Sequence, residues 1–368
     1  MKDEDLKNAF EKLKIKNLKM EHIWKIGEGA WHNVYRIERN FEEDLVLRIR
    51  KKNAYGQLQA YKEIDLITEY ESSKVYYHQA NQCSFNICPP VFDYFQEESL
   101  AFTVESFMGE GKKLQCLSHY EAFTIGEKLG EFFQVMHRKN PDIQGFGKII
   151  WNGKLLEGKV QQEAHYIWQN DNDFYLSILH SLTSTDLTFN REKVVEKILK
   201  LIENRRENQQ KISLVNQDVT PENIIFNVDN VSLIDPFPSL DFDLKYAGYF
   251  VFCYKFLLPA YSNAARYRNH AYNQNSNILN RIADGFICGY ISDNVNLNKC
   301  LLDEYILWIL LEAHEHFETL EESVLDPKTL QQMGDKDMIR NRLTLCLNEL
   351  ENLSLDNSFT LFNYNERT

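Results

Sequence analysis

The sequence has no long apolar run. Its greasiest stretches, YILWILL at 305–311 and YFVFCY at 249–254, are far too short to cross a bilayer. No two cysteines share a C-x-x-C spacing: Cys83, Cys88, Cys116, Cys253, Cys288, Cys300 and Cys346 are scattered and odd in number. Such thiols suit a reducing cytoplasmic compartment and argue against a zinc site or a disulfide framework. The opening MKDEDLKNAFEKLK is charged where a secretory signal is apolar, so export is not expected. Positive charge is in deficit: 41 basic against 54 acidic residues leave −13. That balance disfavours a nucleic-acid-coating surface and suits a cationic or neutral ligand. Internal repeats and low-complexity linkers are also absent. Neither a nucleic acid nor a membrane is therefore an expected partner.

What is present is enough for two packed lobes. The 368 residues exceed one small core, and 43% apolar with 26% charged residues describes a globular chain. After an amphipathic helix over 4–14, the runs HIWKIGEG, WHNVYRIER and DLVLRIR alternate as strands do, predicting a meander over 22–49. A helix over 57–79 and strands in PPVFDYF and SLAFTVESF complete a five-stranded antiparallel sheet with one helix. Past MGEGKK (108–113) the pattern turns helical. Helices are expected over 118–138, 155–180, 190–208, 242–258, 276–290, 300–322 and 327–351. Only NIIFN and VSLID interrupt them with short strand-like runs. The predicted class is α+β: a small β-rich lobe over 1–107 and a larger helical lobe over 108–368 carrying one β-hairpin.

That interruption, LVNQDVTPENIIFNVDNVSLIDPF at 214–237, holds the densest chemistry. Asp218 and Asn223 lie five apart, and Asp235 ends VSLID twelve residues further on. A hairpin would bring Asn223 and Asp235 to neighbouring positions. Phosphoryl transfer needs a carboxylate to orient a hydroxyl and take its proton, and oxygen ligands for Mg²⁺ on the nucleotide phosphates. An Asp and an Asn at this spacing recur by chance; the flanking strands, Pro221 and the later I-D narrow the reading. Upstream, IGEGAWHNVYRI (26–37) lies between two strands, whereas a Walker A or Rossmann loop leads into a helix. Gly27 and Gly29 suit instead a hairpin tip folded over phosphates with backbone N–H groups turned inward. Trp31 at that tip either covers a ligand or is an ordinary turn aromatic.

Taken together, NQDVTPENIIF and LIDPFPSLDFDL resemble the aminoglycoside phosphotransferase and choline-kinase-like family. Its catalytic loop reads roughly H-x-D-x-x-x-x-N and its metal strand I-D. GEKLGEFFQVMH and GFGKI (145–149) extend the likeness, which spans about 20–260. The resemblance implies a bilobal protein-kinase-like fold, ATP (GTP as the alternative) and Mg²⁺ as cofactors, and transfer of the γ-phosphate to a hydroxyl of a small molecule. Under it Asp218 is the catalytic base, and Asn223 and Asp235 are metal ligands. Asp243 supports the loop by hydrogen bonds, and His137 is structural. The nucleotide side takes Gly27, Gly29 and Arg48 of VLRI, with the backbone around Glu105 and Phe107 meeting adenine. An acidic partner for Arg48 comes from the next helix; of Glu63, Glu69 and Glu71, Glu71 has the family's spacing to Pro89. Two departures stand out: Asn216 replaces the usual His, and Arg48 the usual Lys. Asn donates and accepts as His does, but Arg is no simple stand-in for a point charge. A pseudokinase acting as a nucleotide- or partner-binding module is therefore the second reading. Protein-kinase activity fits poorly, since no A-P-E segment follows and Asp235-Pro236-Phe237 lacks the hinge glycine.

Between 301 and 326 there are eight carboxylates and no Lys or Arg. On a helical wheel Glu304, Glu312, Glu315, Glu318 and Glu322 share one side. They form either a solvated face or the border of an acceptor pocket. The resemblance puts the acceptor among helices of the large lobe, where acidic residues bind ammonium groups. Glu312 and Glu315 are accordingly the substrate candidates, for an aminoglycoside, amino sugar or amino alcohol. His314 and His316 point apart on a helix and do not read as a metal site.

Overall fold

In the computed structural model, residues 2–353 apart from 14, 16, 17, 55, 56 and 293, together with residue 359, are described. The small lobe comprises α1 (Lys2–Lys12), β1 (Ile23–Glu28), β2 (His32–Ile37), β3 (Leu45–Arg50), the ribbon β4 (Asn53–Ala54) and β5 (Gln57–Leu58), α2 (Glu63–Cys83), β6 (Phe92–Glu97) and β7 (Leu100–Ser106). Its antiparallel sheet runs β1-β2-β3-β7-β6, five strands as the alternation predicts. Leu47 and Ile49 of β3 join Ile37 and Phe102 in a core closed by Leu6 and Ala9 of α1. The strand pleat sends Arg48 and Arg50 to the opposite face. The first helix spans 2–12 rather than 4–14, and residue 14 lies outside the described residues. The second begins at Glu63, not 57, because the Gln59 N–H donates to the Lys52 carbonyl at 2.8 Å and closes the ribbon.

The large lobe continues with α3 (His119–Arg138), β8 (Phe146–Trp151), β9 (Leu156–Val160), α4 (Ala164–Thr183), α5 (Arg191–Glu207), β10 (Ile212–Asn216), β11 (Ile224–Ile225), β12 (Ser232–Leu233) and β13 (Pro238–Phe242). Then come α6 (Asp243–Phe252), a π-helical turn (Cys253–Leu257), α7 (Leu258–Tyr261), α8 (Ser276–Ile291), α9 (Val295–Glu321), α10 (Pro327–Met333) and α11 (Lys336–Asn352). Ser118 and Glu121 close a reciprocal capping box at the start of α3. Four glycines let α3 and α8 approach backbone to backbone. A Cβ on Gly126 would sit 2.0 Å from the Ile282 oxygen, and one on Gly285 2.0 Å from the Phe123 oxygen.

Three further expectations need correction. The segment 155–163 is not helical, and the large lobe carries more than one hairpin. Strands β8 and β9, which join β10 and β13 in a four-stranded sheet of order β10-β13-β8-β9, precede α4, so the helix expected over 155–180 starts only at Ala164. Asn152-Gly153 turns the β8–β9 hairpin, with Gly153 at φ +96° and the Asn152 side chain accepting from the Lys154 and Leu155 N–H groups. An Asn-Gly pair is a strong local hairpin signal. The helix expected over 327–351 is likewise broken, by Gly334 at φ +85° and by Asp335, which caps α11. Among the described residues no helix is long and apolar enough to cross a membrane.

Candidate active site

Strand register builds the site. β10 pairs with β13 so that Asn216 lies opposite Pro238, which leaves the loops after Asn216 and before Pro238 side by side. Asn216 is buried, and its side-chain oxygen accepts from the Asp218 N–H at 3.1 Å and the Phe237 N–H at 2.9 Å. The residue in place of the usual His thus ties the two loops together. Tyr254 anchors the loop from below, its hydroxyl donating to the Val219 carbonyl at 3.0 Å.

Asp218 is half-buried and accepts from the Thr220 hydroxyl at 2.8 Å. Burial pushes its carboxyl above the usual range, against the Thr220 hydrogen bonds and the Arg266 charge. A short 3₁₀ turn, Pro221–Asn223, follows. The Asn223 carbonyl accepts the Ile234 N–H at 2.9 Å, which puts Asn223 beside Asp235. Asp235 sits at φ +50°, a left-handed conformation that Asp tolerates better than most residues, and its N–H donates to the Tyr77 hydroxyl at 2.9 Å.

Arg48 reaches this group from the small lobe. Its Nε donates to Glu105 Oε1 at 2.7 Å, and its Nη1 lies 3.4 Å from Asp235 Oδ2. Glu105 is 2% exposed and also accepts from the Tyr77 hydroxyl at 3.1 Å. Burial opposes the charge on Arg48, but Glu105 and Asp235 outweigh it and hold the guanidinium protonated. The acidic partner of Arg48 is therefore on β7 and not on α2. Glu71 instead accepts from the Tyr94 hydroxyl at 2.7 Å, while Glu69 pairs with Arg50 at 2.9 Å. The side chain of Glu105 is an ion-pair partner, and the Phe107 N–H donates to the Asp44 carbonyl at 2.9 Å.

At the hairpin tip the Gly29 N–H closes the turn onto the His32 carbonyl at 2.9 Å, so it does not point at a ligand. Neither Gly27 nor Gly29 has a positive φ. Lys51 grips the tip through the Gly29 carbonyl at 2.7 Å and Glu28 at 2.6 Å, and Trp31 lies under the Arg50 guanidinium. The His32 ring, beside Arg48 and Asp235, is held neutral: burial lowers it to about 4.

The remaining candidates divide. His137 is buried against Tyr290 at 3.0 Å, with burial lowering it to about 3, as a structural residue should be. Asp243 does not bond the catalytic loop. It accepts from the Lys211 N–H at 3.2 Å, at the far end of β10, and burial raises its carboxyl to about 6. The acidic side of α9 is not a uniform solvated face. Glu304 is buried under Arg205 at 2.6 Å. Glu312 is buried, accepts from the Tyr261 hydroxyl and lies 3.5 Å from His316, which accepts from Arg342. Burial and the neighbouring Glu315 raise the Glu312 carboxyl to about 7. Glu315 is exposed. Sequence reasoning missed Tyr77 and Arg266. Neither belongs to a motif; only the packing of α2 and the 262–275 segment brings them in.

No protein-family model and no curated protein matches the chain. Solved structures do. An aminoglycoside phosphotransferase, APH(4)-Ia, in ternary complex with AMP-PNP and hygromycin B is 14% identical, covers 94% of this chain and 99% of its own, and superposes with a TM-score of 0.53. A choline/ethanolamine kinase family protein from Mesorhizobium loti is 13% identical over 95% of each chain, with a TM-score of 0.49. At such identities the likeness is one of architecture. The chain has the two-lobed kinase-like fold of an aminoglycoside phosphotransferase, a five-stranded antiparallel sheet leading into a helical lobe.

Proposed function

We propose that the protein is an ATP- and Mg²⁺-dependent phosphotransferase that moves a γ-phosphate onto a hydroxyl of a small, amine-bearing molecule. One observation carries this reading: the β10–β13 register holds Asp218 and Asp235 on adjoining loops, with Arg48 reaching Asp235 from the other lobe. Asp218 takes the proton of the acceptor hydroxyl as its oxygen bonds to the γ-phosphorus, while the bond to the β-γ bridging oxygen breaks. A carboxyl raised by burial is better matched to that task than an ordinary aspartate. Residues 1–107 serve the nucleotide and 108–368 the acceptor.

Asn223 and Asp235 fit a magnesium ion. They offer two adjacent oxygen donors, and Mg²⁺ commonly takes one or two protein ligands and completes its shell with water and phosphate. The ion would neutralise charge on the transferring phosphates. GTP is the alternative donor. Glu312 and Glu315 support an ammonium on the acceptor, an amino sugar or amino alcohol. The scattered thiols, free in the structure, suit the cytoplasm.

A panel of amino sugars, aminoglycosides and amino alcohols with ATP and Mg²⁺ tests the reading. At least one should be phosphorylated, and Asp218→Ala should slow that turnover by about 10²-fold or more. Undiminished turnover in that variant refutes the mechanism. The Arg48–Asp235 contact favours a second reading, a nucleotide-binding module without efficient chemistry. AMP-PNP binding with no turnover across the panel would select it.

A further inference from the structure

The loop that bears Asp218 is held in two halves. The first half is fixed from α6 and the π-helical turn. Gln217 Nε2 donates to the Tyr246 hydroxyl at 2.6 Å, and the Tyr254 hydroxyl donates to the Val219 carbonyl. These bonds end at Val219. The second half is the turn Pro221–Asn223, and its own bonds are local: the Asn223 N–H donates to the Thr220 carbonyl at 2.9 Å and the Ile224 N–H to the Pro221 carbonyl. A metal ligand on so short a turn is aimed by whatever holds its backbone. Glu222 supplies a long-range anchor. Its Oε1 accepts from the Tyr272 hydroxyl and lies 3.0 Å from His270 Nδ1.

Both partners come from the segment between α7 and α8, residues 262–275. That segment is closed at its neck, where the Ser262 hydroxyl donates to Asn273 Oδ1 at 2.8 Å and accepts from the Asn273 N–H at 3.3 Å. Tyr272 is buried, with its ring 6.1 Å from that of Tyr267. Between His270 and Tyr272 stands Ala271 at φ +50°, a left-handed backbone that a Cβ disfavours. Across it the two rings stack, 5.3 Å apart and 13° from parallel, and both address one carboxylate oxygen. A disfavoured backbone persists only where its surroundings over-determine it, and such residues gather at functional sites. The Glu222 side chain is itself 35% exposed, and a pairing so open to solvent adds little to global stability. What the arrangement does fix is the position of the turn.

We propose that Glu222 is a positioning residue, which clamps the Pro221–Asn223 turn to the 262–275 segment and so aims Asn223 at the metal on the nucleotide phosphates. This rests on the proposed function, in which Asn223 is a metal ligand. Glu222 touches neither metal nor substrate in that role; it acts through the backbone of the next residue. The Ile234 N–H bond to the Asn223 carbonyl fixes the far side of the same residue, so the clamp and the β11–β12 ribbon hold it from two directions.

Hydrogen exchange of the ligand-free full chain, and Mn²⁺ binding with AMP-PNP followed by electron paramagnetic resonance, test this. Tyr272→Phe keeps the buried ring and removes only the hydroxyl, Glu222→Ala removes the acceptor, and Glu222→Gln keeps it. The first two should speed exchange at 220–225 at least fivefold, with exchange in α3 and α8 unchanged. They should also weaken Mn²⁺ at least fivefold. Glu222→Gln should change either quantity by less than twofold. Unaltered exchange at 220–225 in Tyr272→Phe would overturn the clamp. Faster exchange with unchanged Mn²⁺ affinity would overturn the aiming of Asn223. A loss in Glu222→Gln equal to that in Glu222→Ala would overturn positioning in favour of the charge alone. No Mn²⁺ binding with AMP-PNP by the parent chain sinks the metal reading and the positioning role with it, whereas parent binding with indifferent variants sinks the positioning role alone.

Discussion

Arg48 stands where a lysine is the familiar choice, and its planar fork is used in two directions. Nε serves a buried carboxylate and Nη1 a half-exposed one. These contacts differ in weight. Glu105 is 2% exposed, so removing Arg48 strands a charge that solvent cannot reach. Arg48→Leu should cost about 3–5 kcal/mol in urea unfolding. Asp235 is 49% exposed, and Asp235→Asn, which tolerates the left-handed backbone, should cost less than about 1 kcal/mol. Equal costs would show that the Arg48–Glu105 pair does not anchor the guanidinium. The same residue explains why Glu71 was the wrong expectation. Spacing to Pro89 places a carboxylate on the neighbouring helix, but β7 runs beside β3, and Arg48 pairs with Glu105 there.

Helices α3, α8 and α9 carry the stability of the large lobe in different ways. Between α3 and α8 the backbones touch through Gly126, Gly130, Gly285 and Gly289, leaving no room for a Cβ. Gly126→Ala should destabilise by about 1–3 kcal/mol, the usual range for overpacking, and lower the melting temperature accordingly. Helix α9 buries Glu312 with a carboxyl raised to about 7 from an ordinary 4.5. A carboxyl that holds its proton more tightly folded than unfolded makes stability fall as pH rises from about 4.5 to 7, after which the loss is complete. Glu312→Gln keeps an acceptor for Tyr261 and lacks that titration. Its stability relative to the parent should therefore climb across the same window, by on the order of 2–3 kcal/mol, read from denaturation at pH 5 and pH 8. A flat difference would mean that Glu312 is ionised when folded at both pH values.

The two lobes meet through few directed contacts. Trp151 to Thr68, Leu233 to Ile87, Asp235 to Tyr77 and Arg48 to Asp235 are the ones that bear on the site. On the proposed function, a nucleotide held between the lobes would add to these ties only in the folded state. AMP-PNP with Mg²⁺ at about 100-fold over its Kd should stabilise by about 2.7 kcal/mol, seen as a raised melting midpoint. Asp235→Asn should lose most of that increment while melting near the parent temperature without ligand. An unmoved midpoint in the parent protein would remove the basis of the proposed function.

Much of this was legible from residues alone. Alternation in DLVLRIR set β3 and its two faces, because one side of a strand must be apolar to cover a core. The Asp218, Asn223 and Asp235 spacing located the candidate site, because a tight loop and a short ribbon leave little freedom between those positions. The Asn152-Gly153 turn carries a local hairpin signal too, but the helical run after it masks where the helix begins. Other features had no local signature. Which carboxylate holds Arg48, that Tyr77 links α2 to Asp235, and that part of an acidic helix face is buried all depend on partners far along the chain. Periodicity reports which side chains avoid water within one element; charge pairing across elements is decided only when the lobes pack. Residues alone specify the five strands of the small lobe and the loop that bears Asp218. Tertiary structure decided the company those residues keep, because burial, not sequence distance, sets which charges meet.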